Sequence, residues 1–312
     1  MNKTAIIFPG QGSQVLGMGL DFYNSSPRAK VVFDAADEVL GYAISTLCFE
    51  GPETQLQRTD LQQPAIFVTS VAIWEALLEK GVPDDLLGCA AGLSLGEYTA
   101  LHLAGAMGFE DALRLVAQRG RLMQDAAEAS QGGMVTLLGA DPQKVQALCQ
   151  RAADGDVLAP ANYNCPGQIV ISGAAAACER AVGLASDFGA KAIPLKVAGA
   201  FHSAFMAPAA EQLGAALAKT PLTRPRVPVV SNVSADYHGE AESIRHSLQA
   251  QVTDPVLWAK SVERMIADGY DTFIEVGPGR VLTGLMRKID RKVRAKNVSR
   301  LEDLDTVLGQ TV

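Results

Sequence analysis

Histidine is scarce in this chain. Only His102, His202, His238 and His246 occur among 312 residues, so chemistry that needs an imidazole base has a short set of candidates. The five cysteines, Cys48, Cys89, Cys149, Cys165 and Cys178, are odd in number, widely spaced and without a Cys-x-x-Cys pair. That spacing argues against a disulfide framework and against a thiolate zinc site, and it points to a reducing, cytoplasmic home. Positive charge is not in excess: 27 Lys and Arg stand against 34 Asp and Glu, a net charge of -7, which disfavours nucleic acid as the main partner. No stretch is read as approaching a membrane span. The opening, with one lysine and the short apolar run Ala5-Ile6-Ile7-Phe8 before Pro9, is too brief for a secretory signal core. Internal repeats and low-complexity segments are absent.

What is present is ordinary for a globular protein: 48% hydrophobic and 20% charged residues, enough to bury a sizeable core in one large domain or two. Thr4–Phe8 reads as a buried strand. Helical patterns follow at about Ala29–Leu40, Gln63–Lys80, Glu97–Met107 and Glu110–Ala129, with a strand over Leu86–Ala91. Strands alternating with helices imply a mainly parallel sheet covered on both faces. Near Gln131-Gly132-Gly133 the rhythm changes. Met134–Leu138, Val157–Ala161, Gln168–Ser172 and Ala192–Val197 read as strands, with helices at Pro142–Ala153 and Ala175–Phe188. That order is βαββαβ, the ferredoxin-like unit. The expectation is therefore an α/β protein in which residues 130–198 form a small ferredoxin-like domain. It is inserted into a larger domain of residues 1–129 and 199–312, and the cleft between the two is a natural substrate site. Arg226–Asn232 and Thr272–Glu275 are further strand candidates. Glu242–Gln251, Ala259–Ala267 and a segment after Gly277-Pro278-Gly279 are read as helices.

Gly92-Leu93-Ser94-Leu95-Gly96 places a lone serine between two glycines where a strand turns into a helix. Such a turn exposes a nucleophile, and the glycines are needed because side chains at 92 and 96 would collide with neighbouring elements. The amide of Leu95, at the helix start, points where a carbonyl oxygen would gain negative charge. With 29 glycines in the chain, the pattern alone is weak evidence. A serine hydroxyl also needs a base within reach. His102 lies eight residues beyond Ser94 on the same helix, roughly 12 Å along its axis. His238 and His246 sit in a polar stretch that reads as exposed. His202, in Gly199-Ala200-Phe201-His202-Ser203, falls where the chain leaves the small domain and faces the cleft, and is the candidate base. No acid stands out as a third member, so a backbone carbonyl is a suitable partner for the other ring nitrogen.

The loop Pro9-Gly10-Gln11-Gly12-Ser13-Gln14 fits neither a dinucleotide fingerprint nor a phosphate loop. Together with Gly92-x-Ser94-Leu95-Gly96-Glu97-Tyr98, Gln118-Arg119-Gly120-x-Leu122-Met123, Gly199-Ala200-Phe201-His202-Ser203 and Glu275-Val276-Gly277-Pro278-Gly279, it resembles the malonyl-CoA:acyl carrier protein transacylases from residue 5 to about residue 290. The resemblance implies an acyltransferase of fatty acid synthesis that works by a ping-pong route. Ser94 would attack the malonyl thioester, and His202 would take its proton and later return it to the leaving thiol. Gln11 and Leu95 would supply the oxyanion amides, and Arg119 would grip the malonyl carboxylate. The carbonyl of Gln251 would orient the histidine. Met123 and Val197 would line the acyl pocket, with Asn162 a polar neighbour, and the ring of Phe201 would crowd the space a 2-methyl group needs. Malonyl-CoA and the carrier's phosphopantetheine thiol would be the substrates, with no metal and no redox cofactor. A monomer is implied.

One position departs from the family pattern: Leu93 stands where a histidine is usual. From Arg287 to Arg300 the chain carries +6, leaving -13 on the remainder. With Lys191 and Lys196, this cluster, and Arg287, Lys288 and Arg291 in particular, is the candidate docking surface for an acidic carrier protein. A solvated helix face is the plainer reading of the same charges. Rival functions are a serine thioesterase or esterase on the same elbow, an inactive carrier-binding protein, and malonyl loading for a polyketide synthase.

Overall fold

The computed structural model describes residues 3–308; Met1, Asn2 and residues 309–312, assigned above to the larger domain, lie outside them. Eight strands are present among the described residues: β1 (Lys3–Phe8), β2 (Ala90–Gly92), β3 (Gly132–Leu138), β4 (Leu158–Cys165), β5 (Gln168–Ala174), β6 (Lys191–Pro194), β7 (Tyr270–Val276) and β8 (Arg294–Val298). They form a mixed α/β structure with one parallel sheet, order β2-β1-β7-β8, and one antiparallel sheet, order β4-β5-β3-β6.

The parallel sheet is built around β1, whose Ala5-Ile6-Ile7-Phe8 is buried on both faces, as a strand covered by helices must be. Its register pairs Phe8 with Gly92. The loop after β1 and the turn after β2 therefore leave the sheet side by side at its carboxyl end, where open α/β sheets form their sites. Leu93 N–H donates to Phe8 O (3.1 Å) across this junction. Helix Thr59–Glu79 crosses the interior with most of its residues buried all round. Helix Phe109–Glu128 packs against its start, and Gly120 permits the close approach: a Cβ there would lie 2.8 Å from Thr59 O. That contact turns Arg119 toward Gln63.

In the antiparallel sheet the period of two sorts the side chains. Val135, Leu137, Ile169 and Ile171 face helices Pro142–Ala153 and Ala175–Leu184 in a separate apolar cluster with Val145, Leu148, Ala177 and Ala181. Met134, Thr136, Gln168 and Val170, from the alternate positions, line the cleft instead. Helix Pro142–Ala153 begins with Pro142 at its first turn and Asp141 accepting from Lys144 N–H (2.8 Å), a cap worth about 1 kcal/mol. The antiparallel sheet is tied to the segment before helix Trp258–Ala267, where Tyr163 N–H donates to Val256 O (2.9 Å) and Val256 N–H to Ala161 O (2.8 Å).

Several expectations need correction. Arg226–Asn232 is not a strand: it makes only single bridges, Val229 to Ala90 and Val230 to Tyr237. Pro225 and Pro228 remove ladder donors there. The basic segment is not one helix, since helix Val281–Ile289 ends before Asp290 and Arg294–Val298 joins β7 as an edge strand, where Lys and Arg are at home. The strand expected over Ala192–Val197 stops at Pro194, and that over Leu86–Ala91 shrinks to β2. The helix expected to reach Phe188 becomes 3-10 after Leu184, and the one expected to reach Met107 ends at Leu103. Helices Leu20–Ser25, Ile44–Glu50 and Ala207–Leu217 were not anticipated. Thr59–Glu79 does meet the length and apolarity of a membrane span, with 83% of its most apolar window buried inside the protein; its apolar surface is used by the core. The five cysteines are buried free thiols.

Candidate active site

Ser94 occupies the turn between β2 and helix Gly96–Leu103 with φ at +52°, a left-handed conformation that strains a residue with a side chain by about 1 kcal/mol or more. The glycines make the turn possible: a Cβ at Gly92 would lie 1.9 Å from the Gly96 carbonyl carbon, and one at Gly96 2.2 Å from Phe8 O. Two distant side chains hold the strained residue. Ser94 N–H donates to Asn232 Oδ1 (2.6 Å), and Gln251 Nε2 donates to Ser94 O (2.9 Å). With both backbone groups taken, the conformation is over-determined.

Ser94 Oγ lies 2.9 Å from His202 Nε2, and His202 Nδ1 lies 2.7 Å from Gln251 O. A carbonyl only accepts, so Nδ1 carries the proton and Nε2 is left to accept from the serine hydroxyl. Burial, and then the nearby Arg119 charge, push the His202 pKa down to about 4. The ring is therefore neutral at pH 7, the state a base requires. Arg119 is fully buried. Its Nη2 donates to Ser94 Oγ (2.9 Å) and Gln251 Oε1 (2.9 Å), and its Nη1 to Gln63 Oε1 (2.6 Å), while Nε has no partner among the described residues. The guanidinium sits 5.3 Å over the Tyr98 ring, whose hydroxyl burial raises to a pKa of about 12. Desolvation lowers the Arg119 pKa. Among the described residues no carboxyl group lies within ion-pair distance of Arg119; the carboxylate that acts on it, Glu97, is held off behind the Gln251 amide, so the guanidinium has no direct carboxylate partner.

The glycine-rich loop is held by glutamines. Gln11 Nε2 donates to Gln62 Oε1 (2.7 Å) and Gln63 Nε2 donates to Gln11 Oε1 (3.2 Å). Among the described residues, neither the Gln11 nor the Leu95 N–H donates to a protein acceptor, leaving two amides beside Ser94 able to stabilise a developing oxyanion. The cleft above them is about 480 Å³ and is walled by both sheets' surroundings. This constellation can run acyl transfer through a serine ester.

Comparison with known proteins settles the family. The acyl transferase domain matches residues 5–304. The malonyl CoA-acyl carrier protein transacylase of Bacillus subtilis is 44% identical over 310 residues, covering 99% of this chain and 97% of that one. The chain belongs to the malonyl-CoA:acyl carrier protein transacylases. Among solved structures, the transacylase of Coxiella burnetii superposes with a TM-score of 0.96 at 37% identity, covering 99% of this chain and 98% of that one. Another, a malonyl-transacylase in complex with a type II PKS acyl carrier protein, superposes at 0.94 with 41% identity and 99% of each chain covered.

Of the residues that the transacylase resemblance singles out, Gln11, Ser94, Asn162, Val197, Phe201 and His202 line the cleft. Leu95, Arg119, Met123 and Gln251 are buried behind it. Met123 Sδ accepts from Gln63 Nε2 (3.5 Å). Leu93, half-buried, also lines the cleft and packs against an apolar cluster that includes Cys89 and Ala91. His246 is exposed as expected, but His238 is not: its ring is 1% exposed and lies 2.7 Å from Glu97 Oε1. The polar neighbours Asp236 and Gly239 suggested an exposed loop, yet the chain folds back there, with His238 N–H donating to Val229 O (2.8 Å). Sequence reasoning quoted Glu97 and Tyr98 within the serine motif and Gln63 at a helix start without giving them a role, and passed over Asn232. An acid opening a helix otherwise read as apolar was the available signal for Glu97.

Proposed function

We propose that this protein is an S-malonyltransferase, moving the malonyl group from malonyl-CoA to the phosphopantetheine thiol of acyl carrier protein for fatty acid synthesis. The observation that carries this reading is Arg119: a buried guanidinium without a carboxyl partner, one nitrogen of it 2.9 Å from Ser94 Oγ. An acyl group that brings its own carboxylate supplies the direct partner the guanidinium lacks, whereas an esterase for neutral acyl groups has no use for one. In the first half-reaction Ser94 Oγ attacks the thioester carbon as His202 Nε2 takes the hydroxyl proton. The amides of Gln11 and Leu95 stabilise the oxyanion, and the C–S bond then breaks, with His202 returning the proton to the CoA thiolate. In the second, the carrier thiol gives its proton to His202 and attacks the malonyl-Ser94 ester, and Ser94 is regenerated with that proton. Gln251 O holds the imidazole throughout. Phe201, Met123, Val197 and Asn162 shape the acyl pocket, with Phe201 favouring malonyl over methylmalonyl. The activated acyl group arrives with the substrate, so no metal or redox cofactor enters the scheme.

The architecture we infer is a hydrolase-like large domain, residues 1–129 and 199–312, with residues 130–198 inserted as a ferredoxin-like domain. The antiparallel order β4-β5-β3-β6 and its two helices on one face support that unit. The carrier would dock as a partner of a monomeric enzyme on Lys191, Lys196, Arg287, Lys288 and Arg291, all exposed. Lys196 lines the cleft, and Lys288 Nζ donates to Gln168 Oε1 (3.2 Å), another cleft residue. The relative bound to a type II PKS carrier makes that carrier class the second acceptor to assay.

The test is incubation with labelled malonyl-CoA. One malonyl group per chain should appear on Ser94, persist in buffer and pass to added holo-carrier, and Ser94→Ala should abolish labelling. Rapid release of free malonate without a carrier would mean a hydrolase and overturn the proposal.

A further inference from the structure

Gln251 does more in this site than present its carbonyl to His202. Its side-chain amide stands between two buried ionisable groups, with Oε1 accepting from Arg119 Nη2 (2.9 Å) and Nε2 donating to Glu97 Oε2 (2.5 Å) as well as to Ser94 O. One flip of that amide would face Nε2 to the guanidinium and Oε1 to the Glu97 oxygen, so its orientation is fixed from both ends. Glu97 is itself wholly buried. Oε2 also accepts from Asn232 N–H (3.2 Å), which sets the side chain that holds Ser94 N–H, and Oε1 faces His238 Nε2 at 2.7 Å. The His238 side chain that faces Glu97 is itself buried.

We propose that Glu97 and His238 are a positioning pair for the acylation step. Acting through Gln251 and Asn232, they align His202 and Arg119 on Ser94 while touching neither substrate nor reacting atoms. His238 presents Nε2 to Glu97, and Glu97 in turn holds the Gln251 side-chain amide and the Asn232 backbone N–H, the two residues whose side chains bond the backbone groups of Ser94. Loss of the pair frees the Gln251 amide to turn, and small misplacements of a reacting group cost up to about a hundredfold in rate. The inference rests on the malonyl-transfer reading of Ser94.

Rapid-quench acylation of the full-length protein with saturating labelled malonyl-CoA separates the burst amplitude, which counts competent sites, from the rate constant at each site. Glu97→Gln replaces one acceptor oxygen with a donor that must confront either Gln251 Nε2 or His238 Nε2. His238→Ala removes the outer partner, and His238→Gln restores a donor in nearly the same place. The expected result is a loss of about tenfold to a hundredfold in the rate constant for E97Q and H238A at near wild-type amplitude, with H238Q recovering most of it. Wild-type rate constants in variants whose amplitude and thermal midpoint fall would make the pair merely structural and overturn the inference. Failure of E97Q and both His238 variants to fold would do the same, and if E97Q alone misfolds, the His238 pair decides. A wild-type protein that takes no label from malonyl-CoA would instead sink the reading of the function.

Discussion

On the proposed function, replacing Arg119 should separate acyl selection from acyl chemistry. Arg119→Ala should lower kcat/KM for malonyl-CoA by at least about a hundredfold, the scale of a lost charge-assisted pair, while transfer of uncharged acetyl groups falls less or rises. Equal losses for both acyl-CoAs in a competition assay would contradict the carboxylate role. His202 predicts a pH profile. Its pKa is pushed down to about 4 by burial and by Arg119, so the base stays neutral to unusually low pH. Acylation kcat/KM should be flat from pH 8 to about pH 5.5 and fall only as the ring protonates, instead of falling near 6.5. Arg119→Gln removes the second of the two causes and should move that limb upward. The same shift bears on stability: between about pH 6.5 and 4 the unfolded chain binds a proton that the folded one refuses. The neutral-His contribution is present above 6.5 and lost as pH falls through that window, which urea titrations across it would detect.

The elements put the residues where they are. The β1–β2 register sets Gln11 beside Ser94, and the Gly92–Gly96 contact lets the strand turn into its helix. Gly92→Ala should therefore abolish soluble, folded protein or lower Tm by many degrees, because a Cβ 1.9 Å from a backbone carbon has nowhere to move. Circular dichroism and thermal melts check this. Much of this scaffold was legible in the chain: Ala5 to Phe8 are apolar on both faces, and residues 130–198 follow a βαββαβ order. Ser94, His202 and Arg119 stood in recognisable local patterns. β8 did not, because its Arg294 and Lys296 read as part of a basic tail. Glu97 and His238 were missed for a different reason: they are 141 residues apart, and the histidine's own neighbours are polar. A buried pair of that kind acquires meaning only from the fold that joins it.

At the scale of the molecule, the proposed carrier docking draws on basic residues of an acidic chain, of which Lys196 lines the cleft and Lys288 bonds Gln168 there. Lys288→Glu with Arg291→Glu should reduce malonyl transfer to acyl carrier protein by about tenfold and leave acylation by malonyl-CoA within about twofold, and added salt should mimic the loss in the wild type. Equal damage to both half-reactions would place docking elsewhere. The long reach of the Ser94 contacts has a temporal side as well. The nucleophile motif leaves the ribosome early, yet the groups that hold and activate Ser94 lie 108, 138 and 157 residues further along, in His202, Asn232 and Gln251. At about 5–20 residues per second, the serine waits for roughly ten to thirty seconds of translation before its last support is made. Until those residues are made, Ser94 has neither its candidate base nor the side chains that hold its backbone, so the nucleophile motif alone is not yet a site.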